Sequence, residues 1–139
     1  MSQASRRVRT DVRAVLAAFD ESFAAGDADA FAELFAEDAQ LLLQHRDSIV
    51  GRAAIRAYWT QFFANQDPGA WRTEHRIVDV HGDHAYVLLV YSETLVPRKG
   101  GPSLSVSGRL VLFLRREPDG PWRVTVVMNS YIRPVEEVP

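Results

Sequence analysis

Three polar side chains stand inside stretches that otherwise read as sheet core: His75 in "TEHRI", Arg109 in "SVSGRLV" and Asn129 in "VVMNSY". A histidine in apolar surroundings tends toward its neutral form and can take up a proton near neutral pH. A guanidinium grips a carboxylate or enolate oxygen through paired N–H groups, and a carboxamide offers a ligand both a donor and an acceptor. Together they suit proton transfer without a cofactor, with His75 as base and Arg109 or Asn129 stabilising the oxygen on which charge develops. Each also has a plainer reading. His75 could be a hydrogen-bonded core residue, Arg109 one half of a cross-strand ion pair on the outer face, and Asn129 a satisfied edge or interface amide.

Other polar clusters carry less. His45, Arg46 and Asp47 follow one another as in a kinase catalytic loop, but the downstream Asn and a glycine-rich phosphate loop are both missing. His45 is then a turn residue or part of a pocket rim. His81 and His84 have HxxH spacing, yet the two residues between them form a hairpin turn and no further zinc ligands stand nearby. With no cysteine in the chain, thiolate metal sites, disulfides and cysteine nucleophiles are excluded. "VSGR" lacks the G-x-S-x-G pattern of a nucleophile elbow, and dinucleotide or phosphate loops are absent. No metal and no cofactor are expected.

The 139 residues, 47% hydrophobic and 24% charged, suit one α+β domain spanning 1–139 with its core at 8–133. A formal net charge of -2 gives no pull toward nucleic acid or anionic lipid. Arg6, Arg7, Arg9 and Arg13 read as the solvated face of a first helix. The N-terminus has basic residues but no apolar stretch behind them, and no run is long enough to span a bilayer, so a cytoplasmic protein without a membrane partner is expected.

Helices must come first and strands afterwards. Val8, Val12, Val15, Leu16, Phe19 and Phe23 recur at three- and four-residue steps, Gly26 stops that helix, and Asp27 caps a second one carrying Phe31, Leu34 and Phe35. "QLLLQ" reads as a short buried strand, and "GRAAIRAYWTQFFAN" as a third helix with Ile55, Tyr58 or Trp59, and Phe62 inward. Strands at 71–81, 84–97, 103–117 and 121–133 are separated by "GD", "RKGGP" and "PDG", which are hairpin turns of an antiparallel sheet. This order predicts helices packed on one face of a curled sheet.

The two-residue Gly82-Asp83 turn predicts His81 opposite His84, Asp79 opposite Tyr86, His75 opposite Val90 and Arg72 opposite Glu93. One face then collects Trp71, His75, Ile77, Tyr86, Leu88 and Val90 and is the better candidate for the side under the helices. The other collects Arg72, Glu74, Arg76, Tyr91 and Glu93, with Val78, Val80, Val87 and Leu89 near the turn, and resembles a surface that meets a second subunit. Alternation does not settle which face of the last two long strands points inward. A pocket under the helices would take wall residues from Phe19, Leu43, His45, Tyr58, Trp59, Phe62, Trp71, Val90, Phe113 and Met128.

The segments "AAGDADAFAELFAEDAQL", "GRAAIRAYW", "VHGDHAYVLLVY" and "WRVTVVMNS", in that order over residues 8–133, resemble the nuclear transport factor 2 superfamily in its SnoaL-like branch. The resemblance implies a cone of bent sheet around three helices, an apolar pocket for a small hydrophobic molecule, and a homodimer through the convex side of the sheet. It also implies a range of functions, from isomerases, polyketide cyclases and dehydratases to proteins without catalysis. The ketosteroid isomerase pattern itself is not met: its base position falls on Leu43, its tyrosine on Phe19 and its late-strand acid near Leu112. Aliphatic and phenyl groups can neither remove a proton nor stabilise an enolate. The expectation is a binding protein for a polyketide- or steroid-like compound, catalytic through other residues, with a non-catalytic binding or assembly module as the alternative.

Overall fold

The structure, a computed structural model, describes residues 2–138. Helix α1 (Gln3–Ala25) starts where the Ser2 hydroxyl accepts the Ser5 N–H at 3.0 Å, five residues ahead of the first apolar position used to place it. Its buried stripe is Val12, Leu16, Phe19 and Phe23. Gly26 ends it at φ 66, with the Gly26 N–H donating to Phe23 and that of Asp27 to Ser22. Asp27 then caps helix α2 (Ala28–Glu33) by accepting the Ala30 N–H at 3.0 Å.

Strand β1 (Phe35–Leu42) begins earlier than "QLLLQ" suggests, so Leu34 caps α2 and Phe35 opens a strand rather than finishing a helical stripe. After β2 (Ile49–Val50), helix α3 (Arg52–Asn65) buries Ile55, Trp59 and Phe63, one residue in four along its inner face. Strand β3 (Gln66–Asp67) leads to the long strands β4 (Arg72–His81), β5 (His84–Pro97), β6 (Leu104–Arg116) and β7 (Trp122–Tyr131), and β8 (Glu136–Glu137) closes the chain. The sheet runs β2-β1-β7-β6-β5, with β3 and β4 both paired to β5 and β8 to β6. It curls into a half-barrel around the helices, which is the expected α+β cone. One detail differs: β1 lies parallel to β7, so the sheet is mixed rather than wholly antiparallel. No helix among the described residues is long and apolar enough to cross a membrane.

The β4–β5 hairpin corrects the expected faces. From the Gly82 turn (φ 60) back to Ile77 opposite Leu88, the register follows the turn as expected. A bulge at Arg76 then shifts it by one, so that His75 faces Leu89 rather than Val90, and Arg72 faces Ser92 rather than Glu93. Inward on β5 point Ala85, Val87, Leu89, Tyr91, Glu93 and Leu95, all buried. Tyr86, Leu88 and Val90, expected under the helices, are half-buried on the opposite face, and Ile77 is exposed there. The bulge carries Trp71 and His75 to the concave side while sending Ile77 to the convex one.

Inward residues of β6 are Val106, Gly108, Leu110, Leu112 and Leu114. Gly108 lies opposite Tyr91, whose ring covers it: a Cβ there would stand 2.8 Å from Tyr91 Cε1 and Oη and 2.8 Å from the Ser130 carbonyl oxygen. The side chain could swing away, but the carbonyl belongs to the sheet. Gly108→Ala is therefore expected to cost about 1–3 kcal/mol in chemical denaturation. A wild-type midpoint would show that the Tyr91 ring does not lie against this glycine.

Candidate functional site

A chamber of about 250 Å³ lies between the helices and the concave face of the sheet. Its floor is the aromatic layer of α1, α2 and β1, in which Phe31 lies 4.8 Å from Phe19, 5.5 Å from Phe23 and 5.3 Å from Phe35 between ring centroids. Helix α3 supplies Tyr58, Trp59 and Phe62 on one side, and β5, β6 and β7 supply Tyr91, Glu93, Leu110, Val127, Asn129 and Tyr131 on the other. Val135, beyond β7, is exposed and completes the rim. Among the described residues lining it there is no lysine, arginine or histidine.

Two polar features break this apolar wall. The first is Glu93, 8% exposed, whose Oε2 is buried without a hydrogen-bond partner. Burial alone pushes its carboxyl from 4.5 up to about 7, because no cation or donor offsets the lost hydration of the charged form. The second is a short hydrogen-bonded chain. Gln44 donates its backbone N–H to Asn129 Oδ1 at 2.8 Å, and Asn129 Nδ2 donates to Tyr91 Oη at 3.3 Å. The Tyr91 oxygen thus already accepts, which leaves its own O–H to be given elsewhere. Burial pushes the Tyr91 phenol up to about 12, so it stays a donor at any working pH.

Neighbours fix these groups. Trp71 stacks on Tyr91 with centroids 5.2 Å apart, and its indole N–H donates to Asp20 Oδ1 at 3.1 Å while Thr73 Oγ1 donates to the other oxygen at 2.8 Å. Trp59 Nε1 is buried without a partner, a second unmet polar atom in a chamber-lining residue. Outside, the Arg46 guanidinium lies 4.6 Å over the Tyr58 ring, and burial raises the Tyr58 phenol despite that charge.

Of the residues singled out in the sequence, Phe19, Leu43, Tyr58, Trp59, Phe62, Trp71 and Asn129 line the chamber. The others do not meet there. His75 is on the concave side, half-buried opposite Leu89 with Nε2 unpartnered, but outside the chamber wall. Arg109 is exposed on the convex face, between Val90 and Ser130 of the flanking strands. Val90, Phe113 and Met128 share that outer face, since alternation from buried Leu112 and Val127 turns them outward. His45 is an exposed turn residue at φ 65, its Nε2 3.2 Å from the Gln44 side-chain nitrogen. Tyr91, Glu93 and Tyr131 were missed as site residues. The one trace in the sequence is that Glu93 is the sole acid in the alternating series Ala85, Val87, Leu89, Tyr91, Glu93, Leu95.

A family model described as a SnoaL-like domain matches residues 12–125. The chain belongs to the SnoaL-like domain family. No curated protein matches it in sequence. Among solved structures, a ketosteroid isomerase-like protein from Erwinia carotovora atroseptica SCRI1043 is 20% identical with a TM-score of 0.82, over 90% of this chain and 96% of that one. A scytalone dehydratase-like protein from Novosphingobium aromaticivorans DSM 12444 is 14% identical with a TM-score of 0.85, over 100% and 93%. A nuclear transport factor 2-like superfamily protein from Salmonella enterica serovar Typhimurium LT2 is 16% identical with a TM-score of 0.79, over 94% of each. At these identities the likeness is one of fold. Within that fold this SnoaL-like chain places its chamber-facing carboxyl at Glu93, in the second half of its longest strand.

Proposed function

We propose that this SnoaL-like protein encloses a small, largely apolar ring compound and moves a proton on it without a cofactor, with Glu93 as the acid–base group. The observation that carries the reading is a carboxyl in an apolar chamber, without a partner, held near the pH at which it can both take and give a proton. Tyr91 O–H is the donor for the oxygen on which charge develops, oriented by Asn129 and by its stack on Trp71. The base is therefore Glu93 rather than His75, and Asn129 acts through Tyr91.

A bicyclic ketone such as 2-tetralone provides the test, through deuterium exchange at its α-carbons followed by NMR in D2O. The expected result is exchange above the buffer rate that rises with pH to a plateau past the Glu93 midpoint, and falls by about a hundredfold or more in Glu93→Gln. Exchange at the buffer rate, or an unaltered rate in the variant, would overturn the reading.

A second role rests on the convex face, where Ile77 of β4, Phe113 of β6 and Met128 of β7 are 41%, 43% and 45% exposed on one sheet. Such a patch favours a second copy of the chain packed sheet to sheet. Light scattering of the full chain would give a dimer mass if so, and a monomer mass if not.

A further inference from the structure

We propose that the chamber is also a site for lipophilic organic cations, with the ammonium group seated against the Glu93 carboxylate and the hydrocarbon part packed among the aromatic side chains of the wall. This goes beyond the proton-transfer reading and does not need it, since Glu93 has only to be ionised and in place.

Three observations converge. Glu93 is nine-tenths buried with Oε2 unpartnered, and no cationic side chain among the described residues lines the chamber to neutralise it. A neutral apolar ligand would leave that oxygen unmet at the cost of its lost hydration, whereas an organic cation supplies the missing charge. Next, aromatic side chains stand beside this carboxyl. Because Arg72 pairs with Ser92, Trp71 falls opposite Glu93 on the same face, and Tyr91 is the next inward residue along β5. Finally, neither ring supplies that oxygen with a donor. The Trp71 N–H is spent on Asp20, and Glu93 Oε2 stays unpartnered although Tyr91 is the neighbouring inward residue, so a ligand has to bring the counter-charge. Trp71 itself packs against Phe23 at 4.3 Å and Tyr91 at 5.2 Å between ring centroids, so the wall holds the hydrocarbon part of a ligand and the carboxylate its charge.

The proton competes for the same carboxylate. Burial holds Glu93 protonated below about 7, so cation affinity rises as that proton leaves. The other titratable groups facing the chamber are Tyr58 from α3, Tyr91 beside it on β5 and Tyr131 from β7, while α1, α2, β1 and β6 present apolar side chains.

Phenyltrimethylammonium and tert-butylbenzene have the same shape and differ in charge, and neither can lose a proton. Their binding to the full chain can be followed by fluorescence of Trp59 and Trp71. At pH 8 the cation is expected to bind about tenfold or more tightly than the hydrocarbon, with the ratio falling toward one at pH 5.5. In Glu93→Gln, checked for folding by circular dichroism, the preference should vanish at both pH values. The proposal is overturned if the hydrocarbon binds as well as the cation, if the preference survives in the variant, or if neither compound binds. Failure of tetralone exchange alongside a Glu93-dependent cation preference would sink proton transfer and leave this site standing.

Discussion

Glu93→Gln is expected to make the protein more stable at pH 8 by about 3 kcal/mol, the free energy of holding a carboxyl at about 7 instead of 4.5. The sign follows from where the proton sits. Between pH 4.5 and about 7 the folded state keeps a proton on Glu93 that the unfolded chain has lost, so raising the pH through this window favours unfolding. The contribution is complete below the unfolded value and gone once the pH has passed the folded one. Glutamine has the shape of the protonated acid and no charge to lose, so the variant should not share this decline. Thermal melts at pH 5 and pH 8 read it out, with the wild type dropping by roughly 10 °C more than the variant. Asp38 acts with the opposite sign, since its hydrogen bond to Arg115 lowers its pKa and its contribution is lost only as the pH falls further. Parallel pH profiles for the two proteins would mean that the Glu93 carboxyl is hydrated or partnered in solution.

Phe31→Ala should cost about 3–5 kcal/mol, the range for removing a fully packed aromatic ring. Phe31 is 2% exposed and touches rings on every side: Phe19 and Phe23 from α1, Phe35 from β1 and Trp59 of α3, the last at 5.6 Å in an edge-on contact. These neighbours come from three different elements, so they cannot collapse into the vacated space without moving the helices relative to the sheet. The same deletion would open the chamber floor. Urea denaturation should show a lower midpoint with an unchanged slope. A loss below about 1 kcal/mol would contradict the packing of this layer.

Much of the scaffold was legible because its signals are local. Gly26 can end a helix in the left-handed region, Asp27 can cap the next, and Gly82-Asp83 can close a hairpin, each for reasons contained in a few residues. What escaped was set by a single inserted residue and by burial of an acid. Arg76 looks like any exposed strand residue, yet its bulge exchanges the faces of everything before it on β4. With Arg72, Glu74 and Glu93 apparently on one side, that side read as an outer face suited to a second subunit, and Tyr91 and Glu93 were placed outward with it. Both alternating sets of β5 are apolar enough to be inside, and a carboxyl argues for the outside unless function holds it in. The same uncertainty hid the fate of Arg109, Phe113 and Met128, because β6 and β7 follow whichever face β5 turns inward.

The pocket wall was more legible than its chemistry. Aromatic residues at helical spacing on α1 and α3 must meet the sheet somewhere, so Phe19, Tyr58, Trp59 and Phe62 could be named without knowing the register. Polar groups could not, since a histidine, an arginine and a glutamate each gain meaning only from what surrounds them.

The central claim is that Glu93 is a lone, buried carboxyl facing an apolar chamber, and its own titration tests this most directly. In protein labelled with glutamate carrying 13C at the carboxyl carbon, the resonance missing from Glu93→Gln identifies the group, and its shift can be followed from pH 3 to pH 9. A midpoint at about 7 is the result expected here. A midpoint near 4.5, the ordinary value for a hydrated glutamate, would contradict it.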